Sequence, residues 1–274
     1  MASMKDIKLR IKSVESTMQI TKAMQLVAAS KLRRARERME ASQPFLQLAT
    51  ASMNAAAAGM DGRGVYFAPK SAKKLYIVVA GDRGLAGGYN ANVFKLVAQH
   101  AGDSDFVVLP IGKKALERYA RIPGCAISEG YGQAEAVSVG DAFQMAERVL
   151  EGYRAGEYGE VLLVYTKFES MLTQTATVTR LLPLSAPEKG EHQILMEQEP
   201  EAVLNSVLPN VVAGSIFSAV RASFASEQAA RRTAMDSATK NAGEMIEDLS
   251  LKYNRARQGA ITQELTEIVA GAEQ

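Results

Sequence analysis

The run from Ile7 to Met39, IKLRIKSVESTMQITKAMQLVAASKLRRARERM, decides the fold. Along it Ile7, Ile11, Val14, Met18, Thr21, Gln25, Ala28, Leu32, Ala35 and Met39 recur in alternating steps of four and three, and eight of these ten are apolar. A repeat of about 3.5 residues keeps one seam of a helix facing a partner helix over its whole length, while Lys8, Lys12, Lys22, Lys31 and Arg33 fall off that seam. Ser3 and Asp6 have capping-box spacing ahead of the stripe. The Ala-rich continuation at Ala49, Ala51 and Ala55 to Ala58 has high helix propensity, and no glycine occurs before Gly59. The reading is one helix over residues 4–56, roughly 80 Å long at 1.5 Å per residue.

The other end of the chain repeats the pattern. Met235, Ala238, Ala242, Met245, Leu249, Lys252 and Ala256 recur in steps of three and four, flanked by Ile246 and Tyr253 and followed by Ile261, Leu265 and Ile268. No proline follows Pro209, so a second helix is predicted from there to about residue 270, roughly 90 Å long. A lone helix cannot bury such a stripe. The economical solution pairs the two ends as an antiparallel coiled coil, with Ala, Met and Thr at many seam positions allowing close, adaptable packing.

Between them, strand and helix signals alternate. Leu75 to Ala80, Phe106 to Leu109 and Val161 to Tyr165 are short, apolar and rich in β-branched residues, and Thr175 to Leu182 reads as a further strand at an edge. Helical stretches intervene at 91–99, 113–120 and 139–154. This alternation predicts a Rossmann-like domain with a small, mostly parallel sheet. The fold class is therefore α/β plus a long antiparallel coiled coil. Its three parts are a helix at 1–58, an α/β domain at 59–208 and a second helix at 209–274.

The stretch Gly81-Asp-Arg-Gly84-Leu-Ala-Gly87-Gly88-Tyr-Asn90 follows a strand and precedes a helix, where dinucleotide loops sit. It contains no Gly-x-Gly, and Gly112-Lys113 is followed by Lys114 rather than Ser or Thr, so neither phosphate-binding fingerprint is complete. A tight polar turn is the favoured reading. His100 and His192 lack a metal-binding or nucleophile motif, and Cys125 in a Pro-Gly loop reads as a small structural residue. No catalytic residue, metal site or cofactor is expected. Two other readings remain open: a small-molecule enzyme with a coiled-coil arm, and a basic coiled-coil nucleic-acid binder.

The composition of the 274 residues, 47% hydrophobic and 23% charged, is that of a folded chain with material for a core, and excludes disorder and collagen. It predicts one large domain, or one ordinary domain with long appendages, and neither a membrane span nor a secretory signal. The net charge of +2 is small, but residues 1–58 hold ten Lys or Arg against four Asp or Glu. Lys31, Arg33, Arg34, Arg36 and Arg38 concentrate it. Arg34 and Arg38 share a helix face while Arg33 and Arg36 lie around the side, so the charge forms a collar suited to a surrounding acidic partner.

Three strings carry a resemblance. They are Ile20-Thr-Lys-Ala-Met-Gln-Leu-Val-Ala-Ala-Ser-Lys-Leu32, Ser226-Glu-Gln-Ala-Ala-Arg231, and Tyr253-Asn-Arg-Ala-Arg-Gln-Gly-Ala-Ile-Thr-Gln-Glu-Leu-Thr-Glu-Ile-Val269. With the Asp82 to Asn90 turn, the sequence closely resembles the γ subunits of bacterial F-type ATP synthases. The resemblance implies a central rotor shaft that couples ion-driven rotation of a membrane c-ring to conformational change in catalytic β subunits. It implies no active site in the shaft itself. The implied partners are the α and β subunits, the ε subunit and the c-ring, and the implied location is the cytoplasmic face of the cell membrane, held there peripherally.

By the same resemblance, Arg257 and Gln258 match residues that hydrogen-bond a β-subunit loop, with Thr262 and Glu264 adjoining. Met24 matches a position near the acidic β-subunit lever loop, which makes Lys31, Arg33, Arg34 and Arg36 collar contacts. Ile261, Leu265, Ile268 and Val269 would turn in an apolar bearing. Leu195, Met196 and Glu197 fall near the family's c-ring contact. With Cys125 as the single cysteine, the thiol control of the chloroplast form is not expected.

Overall fold

The computed structural model describes residues 4–102, 104–122, 126–127, 130–185 and 199–272. In chain order the elements are α1 (Met4–Gly59), β1 (Lys74–Val79), α2 (Tyr89–Ala101), β2 (Phe106–Ile111), α3 (Lys113–Tyr119), β3 (Ala126–Ile127), α4 (Val139–Ala155), β4 (Glu160–Phe168), β5 (Gln174–Leu182) and α5 (Pro200–Ala272). The expected terminal helices, the antiparallel pairing of their lengths and the small mixed sheet are all present. Helix α5, however, starts at Pro200, nine residues ahead of the expected Pro209. A proline in the first helical turn forfeits no hydrogen bond, so Pro200 opens the helix, and Pro209 lies inside it. Ser3, the expected cap of α1, lies outside the described residues.

The five strands are ordered β3-β2-β1-β4-β5. β1 runs parallel to both β2 and β4, β2 parallel to β3, and β5 antiparallel to β4 at the edge. The two-residue β3 went unpredicted because so short a segment shows no alternation. Every side chain of β1 from Leu75 onward is buried, as a central parallel strand covered on both faces requires.

The period of two divides the strands between two cores. Leu75, Ile77, Val79, Leu109, Ile111, Val161 and Leu163 face α4 and α5, where Met145, Val149, Tyr153, Leu208, Val212 and Ile216 meet them. Tyr76, Val78, Val108, Leu162 and Val164 face α2 and α3, where Val93, Val97 and Tyr119 meet them. Helix α5 carries a segment long and apolar enough to cross a bilayer by length and composition. Its Leu204, Leu208, Val212, Ile216 and Val220 are buried in the first of these cores.

The chain divides into two compact units, residues 1–29 with 231–274 and residues 30–230. In the first, Ile7, Ile11, Val14, Met18, Thr21 and Gln25 of α1 are half-buried, with Met24 and Ala29 beside them, and most of their other neighbours are exposed, as the stripe predicts. The Thr21 and Thr239 hydroxyls meet at 2.8 Å, and Gln25 Nε2 donates to Asp236 Oδ1 at 2.9 Å. One number rises as the other falls, so the helices run antiparallel. In the second unit Leu32 and Ala35 pack with Ala225 and Ala229, and Gly214 lies against Phe45 and Leu46, which gives the same direction.

The seam of α5 differs from the expected line. Met245 is 46% exposed and Lys252 is also exposed, whereas Ile246 and Tyr253 are half-buried. The observed seam runs Met235, Thr239, Ala242, Ile246, Leu249, Tyr253, Ala256, again in steps of four and three. The two lines share Met235, Ala242, Leu249 and Ala256 and have the same 3.5-residue period; they differ at the alternate positions, where the line that keeps Lys252 in water prevails.

Candidate functional site

Strand order places β1 between β2 and β4, so the chain reverses its direction of winding across the sheet at this point. Ligands of open α/β sheets bind in the crevice outside the carboxyl ends of such strands. Here the crevice is filled by the chain's own groups. Asp82, just past β1, accepts from the backbone N–H of Lys113 at 3.2 Å, of Ala134 at 2.9 Å and of Glu135 at 3.3 Å. Asn90 Oδ1 accepts from the Gly81 N–H at 2.9 Å, and Gly81 O accepts from the Lys114 N–H at 3.0 Å. The glycine-rich run is thus a tight polar turn whose carboxylate caps the starts of α3 and of the following 3₁₀ turn. Backbone N–H groups that would cradle a phosphate already hold Asp82.

A second carboxylate closes the other side. Glu227 of α5 is 5% exposed, and a Cβ placed on Gly81 would stand 2.9 Å from its Cδ. The two side chains take up the space that a phosphate would need beside the Gly81 turn. Among the described residues no group of His, Cys, Asp and Glu is arranged to hold a metal ion. Within Ser226 to Arg231 nothing local distinguishes Glu227 from a solvated helix glutamate, so its place beside Gly81 is not legible in the sequence.

His100 is exposed, and its Nδ1 lies 2.9 Å from the Tyr76 hydroxyl. Burial, and then the charge of Glu160, push the Tyr76 phenol up to about 12. His192 and Cys125 lie outside the described residues.

The residues expected to meet partners lie on the two long helices. Arg257, Gln258, Thr262 and Glu264 are all exposed on α5, and the Thr262 hydroxyl donates to the Gln258 carbonyl at 2.9 Å within its own helix. Ile261, Leu265, Ile268 and Val269 are 49 to 63% exposed, and every side chain from Ile261 to Val269 is exposed. At 3.6 residues per turn these eight residues fall within about 160° of the helix circumference. Met24 on α1 is half-buried.

In the collar, Lys31 Nζ lies 3.2 Å from Glu135 and 5.8 Å from the centre of the Phe224 ring. Arg36 pairs with Glu40 at 3.5 Å and lies over Phe168. Arg33 and Arg34 point into solvent. Leu195, Met196 and Glu197 lie outside the described residues.

An α/β domain in a chain whose two terminal helices are long and paired antiparallel, with every side chain from Ile261 to Val269 exposed, defines the class of helical-stalk subunits. The family model described as ATP synthase matches residues 3–274. The ATP synthase gamma chain of Ruminococcus albus is 48% identical over 278 residues, covering 98% of this chain and 97% of that one. The sodium-ion-specific ATP synthase gamma chain of Acetobacterium woodii is 42% identical, covering 99% and 98%. A chain in the cryo-electron-microscopy structure of the Euglena gracilis mitochondrial ATP synthase rotor shares the fold with a TM-score of 0.70 at 18% identity, over 94% of this chain and 98% of that one. The chain belongs to the ATP synthase gamma-chain family.

Proposed function

We propose that this chain is the central rotor shaft of an F-type ATP synthase and carries no active site of its own. A single copy turns inside the ring of α and β subunits, with the ε subunit and the c-ring at its other end, on the cytoplasmic face of the cell membrane. The observation that carries this reading is the last part of α5. From Ile261 onward it is a helix with every described side chain exposed, apolar ones included, and an isolated helix of that kind is marginal in water. It is built to be surrounded. An apolar sleeve around Ile261, Leu265, Ile268 and Val269 buries those side chains without directional bonds, so the helix turns without breaking strong contacts at each angle.

Coupling needs an asymmetric shaft. A rod that presents a different face to each catalytic subunit biases each toward a different conformation by its differential contacts. Arg257, Gln258, Thr262, Glu264 and Met24 supply polar and soft contacts to the β subunits at one level, and Lys31, Arg33, Arg34 and Arg36 supply charge at another. The Glu227 and Asp82 carboxylates in the sheet crevice support the absence of nucleotide chemistry in the shaft, which leaves catalysis to the β subunits. Leu195, Met196 and Glu197 are the proposed c-ring contact.

Co-purification with subunit counting tests the reading, and a single copy of this chain against three each of two larger nucleotide-binding chains is the expected result. Replacing Arg257 and Gln258 with Ala in the whole complex is expected to impair ATP synthesis while leaving the chain folded, because both side chains are exposed. Intact synthesis in that variant would remove these two residues from the β-subunit contact.

A further inference from the structure

β4 outruns β1. The two pair from Lys74 with Glu160 to Val78 with Val164, whereas β4 continues against β5 as far as Phe168. On the side that β1 leaves open, α5 takes over. The Thr166 N–H donates to Ser223 Oγ at 3.0 Å, and Ser226 Oγ donates to the Thr166 carbonyl at 3.1 Å. Two serines one helical turn apart thus satisfy both backbone groups of one strand residue, as a neighbouring strand would. Both are buried, at 1% and 0% exposed. The next residue, Glu227, sets its carboxylate against Gly81 beyond the end of β1.

Within residues 223–227, α5 therefore holds the carboxyl end of β4 by two hydrogen bonds and packs Glu227 beside Gly81 just past β1. Serine is a mediocre helix former, so two buried serines in a helix interior need a compensating use. The apolar packing of α5 on the sheet is non-directional and tolerates small rotations of the helix about its own axis. Hydrogen bonds to fixed backbone atoms do not, because they weaken steeply with misalignment.

Building on the rotor reading, we propose that Ser223, Ser226 and Glu227 form the clamp that passes turning of α5 to the α/β domain. They are positioning residues. They act on no substrate, and fix the angle of α5 relative to the sheet so that the torque on one is delivered to the other without slip.

The test uses the whole synthase in phospholipid vesicles, with the wild-type chain, Ser226→Ala and Ser223→Ala with Ser226→Ala. ATP synthesis driven by an imposed ion gradient, ATP hydrolysis, and hydrogen exchange of the peptide carrying Thr166 are measured. In the double variant the Thr166 amide is expected to exchange about tenfold faster, the loss of roughly one net hydrogen bond. Hydrolysis is expected to persist while the ratio of synthesis to hydrolysis falls several-fold, with Ser226→Ala intermediate. Faster exchange with an unchanged ratio would overturn the clamp, since the serines would then hold structure without carrying torque; unchanged exchange would overturn it too. If the double variant does not assemble, Ser223→Ala alone, which removes the acceptor of the Thr166 N–H, is read by the same criteria. A wild-type complex that lacks this chain, or in which it does not turn, would sink the rotor reading instead.

Discussion

At Thr166 the backbone is fully used and the side chain is not. Its Oγ1 is buried without a hydrogen-bond partner among the described residues. Thr166→Val keeps the shape and removes a desolvated hydroxyl, so it is expected to leave stability unchanged or raise it by about 1 kcal/mol, read from the thermal melting of the purified chain. Gly112 is the opposite case. Its φ is +99°, and a Cβ there would stand 2.1 Å from the Ala80 carbonyl oxygen, so Gly112→Ala combines a disfavoured conformation with a clash against backbone. A loss of about 3 kcal/mol is expected in the same measurement. At the start of α4, Ser138 N–H and Ser138 Oγ donate to Asp141 Oδ2 at 2.8 and 2.7 Å. These bonds, the backbone one first, hold the Asp141 carboxyl below its ordinary value. A lowered carboxylate stabilises the fold above its unfolded-state pKa, and that contribution is lost as pH falls through the folded-state value. Acidification into that range should lower the protection of the Ser138 amide relative to its intrinsic exchange rate, and Asp141→Asn should remove that pH dependence.

At the scale of elements, α1 was legible position by position, because its stripe has a single reading that excludes every lysine. For α5 two readings existed, and the observed seam predicts unequal costs for neighbouring residues. Leu249→Ala, at 8% exposed, should destabilise by about 2 kcal/mol. Met245→Ala should stay within about 0.5 kcal/mol, since its side chain lies off the seam. Equal losses in thermal melting would restore the original line. The strands were readable from their β-branched runs, apart from β3, and the edge position of β5 from its polar alternation. What the sequence could not convey was the work of Ser223, Ser226 and Glu227. Polar residues inside a helix look solvated until a strand end is found beside them, and that neighbour lies about sixty positions away in the case of Thr166.

At the scale of the whole molecule, a net charge of +2 conceals an uneven distribution. Residues 1–58 hold ten Lys or Arg against four Asp or Glu, whereas acidic residues outnumber basic ones in the rest of the chain. The structure reduces what this collar offers a partner. Lys31 is engaged by Glu135 and Arg36 by Glu40, while Arg33 and Arg34 are exposed. The field nevertheless reaches inward: burial first, and then the charge of Arg38, lower the Arg221 guanidinium from its ordinary value. If the collar serves to draw an acidic ring onto the shaft, exposed charges act mainly on the rate of encounter, which falls with ionic strength, rather than on the stability of the chain. Reversing Arg33 and Arg34 to Glu should therefore slow assembly with the α and β subunits by about tenfold at low salt and flatten its salt dependence. Melting of the isolated chain should move by less than about 0.5 kcal/mol, as expected for surface substitutions. An assembly rate that keeps both its magnitude and its salt slope would show that the two arginines are merely a solvated helix face.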